Sequence, residues 1–591
     1  MSLSVLLIVL FVTCVLWSVI PRRLSGESLR EVAGPRKEHW LTGIFHRLFQ
    51  DGYDYHDRLV RTYGTAIKVY GMLGAPNLLV SDPRALHHIV VKEQDVYQET
   101  DMFLMSNRLI FGEGLIATVG EQHKKQRKML NPIFSLANMR ALLPTIQPIA
   151  DSLLELLRAE LPADGSAREV DVLPWMARGT LEYVGQGVLG VSLGVLDISA
   201  AGEYSDYANA IRSINPVGMK LRFVRPFVPV FVRNFSQYWR KKMVDWLPVP
   251  GLRDMREISY SLHKTAGRII QEKKDEMQRE GISKKNLMSL MLRANMSTTT
   301  KDRMSDDELI GQINTLFLGG QETTTSALAR ILHILSQEQQ VQARLRNEVR
   351  KAKLAHAVDH GIDGEWERIS LPYDTLVSLP FLDAVVRETL RLYPPTNMLN
   401  RSATRDALLP LEFPVRLVNG ELVNAIHVPA GTNIIMSLLG ANRNERVWGQ
   451  DASEWRPERW LTQSGERIGF DRHLDLAFEE NAGDSTIEGT PGTKGGVKYP
   501  GVYATMMTFL GGSRACIGFK FAEMEIKQII STLVTKMHFS LPSAVDEAGV
   551  RKEIHWRMDG LQVPVVRPPH GDLATMQVPL DIRLLKEDDF L

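Results

Sequence analysis

Phe509-Leu-Gly-Gly512-Ser-Arg514-Ala-Cys516-Ile-Gly518 runs straight into a helical pattern, FKFAEMEIKQIISTL, beginning at Phe519. Glycines on both sides of the thiol let the backbone turn tightly and come close to a flat ligand. The helix that follows aims its N-terminal amides at the sulfur, which favours thiolate over thiol. Arg514, two residues earlier, suits a carboxylate partner. The chain has 2 cysteines, and the other, Cys14, lies in an apolar N-terminal stretch. The folded part therefore has no internal disulfide, which fits a reducing compartment. On its own, a lone cysteine in a Gly-rich turn is more often an inert buried thiol. Zinc is poorly supported, because no second Cys or His stands at ligand spacing.

Three upstream segments change that balance. Glu388-Thr-Leu-Arg391 is an i, i+3 acid–base pair, a spacing common on solvated helices. Trp455-Arg-Pro457-Glu-Arg459-Trp460 follows it. Gly319-Gly320-Gln321-Glu322-Thr323-Thr324 sits in the middle of a helical run opened by a capping box, Ser305-Asp-Asp-Glu308. Two mid-helix glycines cost about 1 kcal/mol each relative to alanine. A groove over a flat cofactor, beside a carboxylate and a hydroxyl, would justify that cost; close packing against a neighbouring helix is the plainer explanation. Leu309, Ile313, Leu316, Gly320 and Thr323 fall on one helical face.

The Cys516 string resembles the haem-binding loop F-x-x-G-x-R-x-C-x-G of the cytochrome P-450 superfamily, with every fixed position matched. The other segments resemble, in the family's order, its oxygen-activation motif, its E-x-x-R motif and its F-x-P-x-R-F segment. The resemblance implies a mainly α fold with small β-sheets and a haem whose iron takes Cys516 as axial ligand, with Phe509, Gly512, Arg514 and Gly518 around it. It implies a buried triad of Glu388, Arg391 and Arg459 behind the haem loop, and Glu322, Thr323 and Thr324 at the oxygen-activating site. The implied reaction is monooxygenation. Dioxygen is activated opposite Cys516, the thiolate favours O–O cleavage, and Glu322 and Thr323 help to deliver protons. A haem-thiolate isomerase or dehydratase of the same fold is the first rival, disfavoured by the acid–alcohol pair. A non-enzymatic haem sensor is the second, and it would need no reductase.

One departure concerns the helix that touches a haem propionate. Many family members carry W-x-x-x-R there; here the segment is His123-Lys-Lys-Gln-Arg127. His123 and Arg127 share a helix face, so both are expected at a propionate. Arg401, just past Tyr393-Pro394-Pro395, stands where the family often places another. Gly112-Glu-Gly114-Leu-Ile-Ala117 fits a dinucleotide fingerprint, but no Asp or Glu occurs between Glu121 and Asp151, so the ribose-binding acid is absent. Electrons are therefore expected from NADPH through a cytochrome P-450 reductase, with Lys124, Lys125 and Lys128 as candidates for meeting it.

From Leu3 to Ile20 the chain is uncharged and apolar, close to the roughly 20 residues of a membrane-crossing helix. Pro21-Arg22-Arg23 follows at once, which places the catalytic part in the cytosol as a single-pass protein of the endoplasmic reticulum membrane. The expected organisation is an anchor at 1–21, a linker at 22–45 around Gly34-Pro35, and a catalytic domain at 46–591 with a flexible insertion at 481–496. Net charge is +1, which gives no argument for nucleic acid. Phe223–Trp239, apolar and aromatic with interspersed Arg, reads as a segment dipping into a membrane interface or as a buried loop. Entry from lipid would suit an apolar substrate such as a steroid, a fatty acid or a terpenoid. The chain looks closest to fungal members of secondary metabolism, which favours a terpenoid.

Overall fold

The computed structural model describes residues 28–50, 52–197, 205–280, 286–297, 303–362, 366, 369–467, 497–586 and 589. The expected anchor at 1–21 and the insertion at 481–496 lie outside these. Among the described residues no helix is long and apolar enough to cross a membrane.

The largest sheet has five short strands: Ala66–Tyr70 (β1), Pro76–Val80 (β2), Tyr97–Gln98 (β3), Met398–Ala403 (β4) and Asn433–Ser437 (β5), in the order β1-β2-β5-β4-β3. β2 and β5 pair in parallel and the other neighbours are antiparallel. Its register matters for the site. Tyr97 faces Ala403 and Gln98 faces Ser402, so Glu99, the next residue out of β3, falls beside Arg401. Residues 29–44, expected within the linker, pack on this body. Leu29, Val32 and Ile44 are buried, and Lys68 of β1 donates its N–H to the Ala33 carbonyl. A Cβ at Gly34 would stand 1.9 Å from the Lys68 carbonyl oxygen, so only glycine lets the chain pass there.

Three smaller sheets, of two, three and two strands, lie elsewhere among the described residues, and helices make up most of the frame. Those that build the site are Asp101–Phe111 (α1), Gly120–Leu130 (α2), Leu136–Ala159 (α3), Val172–Tyr183 (α4), Ser205–Lys220 (α5), Leu252–Glu280 (α6), Asp306–Gln337 (α7), Pro380–Leu392 (α8) and Phe519–Val534 (α9). α3 shows the reason for folding most plainly. Met139, Leu142, Leu143, Ile146, Ile149, Leu153 and Leu157 recur at helical spacing and are all buried. α7, 32 residues long, is the central rod. It opens with the capping box: Ser305 Oγ accepts from the Glu308 N–H at 3.2 Å, and Glu308 accepts from the Ser305 N–H at 3.0 Å. Glu308 also accepts from Gln122 at 3.1 Å, Gln126 at 3.0 Å and Lys125 at 3.1 Å, fastening α2 to the start of α7. Burial would raise the pKa of Glu308, but these bonds outweigh it and hold the carboxyl low.

The glycine pair at 112 and 114 has a packing explanation. Gly112 ends α1 at φ +93°, so a helix precedes it, not the strand a dinucleotide site needs. A Cβ at Gly114 would lie 2.2 Å from the Gly311 carbonyl oxygen of α7.

Candidate active site

The Cys516 loop is shaped by its protein neighbours. Gly512 sits at φ +68°, and a Cβ there would be 1.7 Å from the Val90 carbonyl oxygen; at Gly511 it would be 1.8 Å from that of Pro500. The close approach first read as clearance for a flat ligand is thus, at these two glycines, clearance for other backbone. The loop closes on itself where the Cys516 N–H donates to the Phe509 carbonyl at 2.8 Å, and the Phe509 ring meets Tyr503 edge-on at 5.3 Å. Cys516 is accessible, yet surrounding protein pushes its thiol up. Working against burial, the Gly518 N–H at the opening of α9 and the Arg127 guanidinium favour the thiolate.

The basic residues expected at the propionates are brought together. Arg514 and Arg401 both pair with Glu99, each at 3.2 Å. Arg514 also donates to the Thr118 carbonyl at 2.7 Å and to the Leu115 carbonyl at 3.3 Å. Leu115 in turn donates its N–H to Gln312 of α7 at 3.0 Å, tying the loop to the central helix. Arg127 donates to the Ala515 carbonyl at 2.6 Å, one residue before the thiol. His123 is buried one turn before it, and burial, with Arg514 and Arg127 adding to it, drives the ring down to about 3, so it is neutral. None of the four is a surface charge. Lys125, offered as a docking candidate, is instead committed to Glu308, and Lys124 pairs with Glu121 at 2.7 Å.

On α7 the two glycines separate. A Cβ at Gly319 would meet nothing within 4 Å, whereas one at Gly320 would stand 2.8 Å from Val184 Cγ2. The open side is therefore centred on Gly319, which corrects the face drawn through Gly320; Leu309 and Ile313 are sealed in the core. Thr323, one turn on from Gly319, donates its hydroxyl to the Gly319 carbonyl at 2.7 Å. Glu322 is pushed up to about 7 by loss of solvent and accepts a hydrogen bond from Asn215 of α5. Thr324, expected beside them, is buried on the side of the helix away from Gly319. Asn215 and Glu99 were not foreseen, because their roles come from contacts with residues far away in the chain.

The triad is closed and dry. Glu388 accepts from Arg391 Nε and Nη2 at 2.9 and 2.8 Å, from Arg459 Nε at 3.3 Å, from Trp460 Nε1 at 3.0 Å and from the Arg456 N–H at 3.1 Å. A second buried network stands beside it. Asp383 pairs with Arg387 at 2.8 Å, Arg467 at 2.7 Å and Lys527 of α9 at 2.7 Å.

An accessible cysteine at the opening of α9, a cluster of guanidinium groups beside it and a helix opened at one glycine make an arrangement that would suit a haem held through a cysteine sulfur, as in a haem-thiolate oxidoreductase. The residues fit the group: a sulfur donor, and the cations Arg127, Arg401 and Arg514 against the carboxylate of Glu99, a balance suited to a ligand with two carboxylates. The chain belongs to the cytochrome P450 family, whose model matches residues 33–557, and is a haem-containing cytochrome P450 monooxygenase. It is 37% identical over 583 residues to cytochrome P450 monooxygenase 91 of Postia placenta, covering 97% of each chain. Cytochrome P450 monooxygenase 212 of the same fungus is 34% identical over 546 residues, 91% of each. A ganoderic acid synthetase of Ganoderma lucidum is 33% identical over 564 residues, 93% of this chain and 94% of that one.

Proposed function

We propose that the protein inserts one atom of dioxygen into an apolar substrate, by hydroxylation or epoxidation, with Cys516 as the residue that would hold the haem iron and electrons delivered from NADPH by a reductase partner. The carrying observation is the placement of Cys516: accessible, just before the opening of α9, in a loop closed by its own N–H on the Phe509 carbonyl and held by Arg127 at the Ala515 carbonyl. The haem supplies dioxygen binding and the electron density for its cleavage. Arg127, Arg401, Arg514 and His123 hold its propionates, and Glu388, Arg391 and Arg459 keep the loop in place from behind. Thr323 spends its own hydrogen on the Gly319 carbonyl, so its oxygen is left to accept, orienting a proton donor rather than giving a proton. Glu322, poised near neutrality, exchanges that proton with the interior.

The same reading anchors the protein by residues 1–21 in the endoplasmic reticulum membrane, catalytic domain in the cytosol, with substrate taken from lipid. Phe223, Tyr238, Trp239 and Trp246 are exposed, and basic groups lie over two of those rings: Arg222 at 4.9 Å from Phe223 and Lys242 at 6.0 Å from Tyr238. Such a mixture of aromatic and basic side chains is typical of a membrane interface. The name of the Ganoderma relative, a ganoderic acid synthetase, supports a secondary metabolite as substrate, and a terpenoid is the class this reading takes.

The test is spectroscopic. Reduced protein with carbon monoxide should give the long-wavelength Soret band of thiolate ligation, and Cys516→Ser should abolish it; a normal band in the variant ends the assignment. Titration with terpenoids, steroids and fatty acids should then shift the Soret band for one class, and NADPH with added reductase should yield oxygenated product.

A further inference from the structure

Asn442, the last residue of the short helix Leu438–Asn442, is fully buried between the Glu388 network and the loop that carries Cys516. Its backbone carbonyl accepts from Arg391 Nη1 at 2.7 Å. Its side chain reaches the other way. Oδ1 accepts from the Met507 N–H at 2.7 Å, and Nδ2 donates to Thr508 Oγ1 at 2.8 Å. Thr508 passes its own hydroxyl hydrogen to the Leu390 carbonyl of α8 at 2.7 Å. Both residues belong to the turn Met507–Phe509, whose last carbonyl receives the Cys516 N–H.

The segment held in this way is strained. Ala504, Thr505 and Leu510 adopt positive φ of 49°, 58° and 58° without being glycine. Such conformations persist only where the surroundings over-determine them. Between Thr505 and Leu510, Asn442 supplies two of the bonds that do so.

We propose that Asn442 is a positioning residue for haem ligation: it transmits the fixed geometry of the Glu388–Arg391 pair to the Cys516 loop and so sets where the sulfur stands. The chemistry requires an amide. Thr508 has spent its hydrogen on Leu390 and offers only lone pairs, so position 442 must donate; the Met507 N–H needs an acceptor from the same short side chain. Aspartate keeps the shape and the acceptor but sets a lone pair against a lone pair at Thr508.

The inference rests on Cys516 being the haem ligand, and the two can fail separately. A wild-type protein without the long-wavelength carbonyl band sinks that ligation, whereas a normal wild-type band leaves Asn442 to be tested by its own variants. Full-length Asn442→Ala, Asn442→Asp and Thr508→Val are compared with Gln342→Ala. Gln342 is equally buried and makes four side-chain bonds of its own, to Leu335, twice to Phe539 and from Arg346, remote from the loop. Asn442→Ala should convert most of the long-wavelength band to the short-wavelength form of lost thiolate ligation, and release haem to apomyoglobin about tenfold faster, as loss of one to two net hydrogen bonds predicts. Asn442→Asp and Thr508→Val should each show a smaller loss of the same kind, and Gln342→Ala should lower thermal stability with the band intact. An unchanged band and release rate in Asn442→Ala overturns the proposal, as does an equal band loss in Gln342→Ala. If Asn442→Ala yields no folded protein, Asn442→Asp decides, and a wild-type spectrum there overturns it.

Discussion

Two glutamates, Glu388 fully buried and Glu322 half-buried, titrate in opposite directions, and the more deeply buried one is the one that stays charged. Glu388 receives five hydrogen bonds from side chains and backbone. Burial alone would raise its pKa, but Arg391 and Arg459 outweigh that and hold the carboxyl below its ordinary range. It carries a permanent charge. Glu322 accepts from Asn215, and burial lifts it to about 7, where it gains and loses a proton easily. The contrast shows that burial does not decide a carboxylate's role; the donors packed around it do. A saturated shell makes a fixture, and a sparse one makes a proton carrier.

The largest effect should come from breaking the fixture. Arg391→Ala leaves the Glu388 charge buried and short of its main partner, a defect worth about 3–5 kcal/mol. Set against a total stability of about 5–15 kcal/mol, that predicts little folded holoprotein. Thermal unfolding and haem content check it, and a melting temperature within error of wild type would erase the distinction between the two glutamates. Next comes the hydroxyl beside the carrier. Thr323→Ala should keep haem but let NADPH consumption run on to hydrogen peroxide, with product falling by up to about 10²–10⁴-fold, the usual worth of acid assistance. Thr323→Ser should restore much of the coupling. Unchanged product per NADPH would mean that Thr323 only packs.

Glu322 offers a smaller effect with a definite sign. Its folded pKa of about 7 lies above the ordinary 4.5, so the folded state holds the proton more tightly than the unfolded chain. Stability is then greatest below about 4.5, falls as pH rises towards 7, and is flat above, by at most about 3 kcal/mol. Glu322→Gln removes that fall. The variant should gain on wild type from pH 5 to about pH 7 in denaturant unfolding and hold that difference above it, and a difference independent of pH would place the carboxylate in solvent.

Much of this was legible in the sequence where the controlling contacts are local. The capping box at Ser305, the thiol with its following helix and the Glu388–Arg391 pair each lie within a few residues, and their spacing fixes their geometry. Legibility ends where a partner comes from far along the chain. The helical pattern around Gly319 and Gly320 shows which residues share a face, but not that Val184 stands opposite one glycine and open space opposite the other. Asp383 and Arg387 are spaced like a solvated ion pair; only the fold brings Arg467 and Lys527 onto the same buried carboxylate. Asn215 carries no motif at all, and becomes visible only when α5 is laid on α7.

The smallest predicted effect tests a departure of the site from its family's pattern, His123 where many members carry Trp. His123 is buried between Arg127 and Arg514 and is neutral, so it can donate through one ring nitrogen only. Two guanidiniums stand beside it that would meet the same propionates under the proposed function, and the loss of one donor among several is worth about 1.5 kcal/mol, roughly a tenfold change in rate. His123→Ala should therefore release haem to apomyoglobin up to about tenfold faster, with the thiolate carbonyl band unchanged in position. His123→Trp, which restores an N–H donor at a similar reach, should recover most of the retention, and His123→Phe, which fills the space without a donor, should not. The pH dependence follows from the depressed ring. Wild-type protein without haem loses stability as pH falls below 6.5, because only the unfolded chain takes up the proton, and the Ala variant should lose less. If Phe retains haem as well as Trp does, His123 serves by filling volume, and the arginines hold the propionates without it.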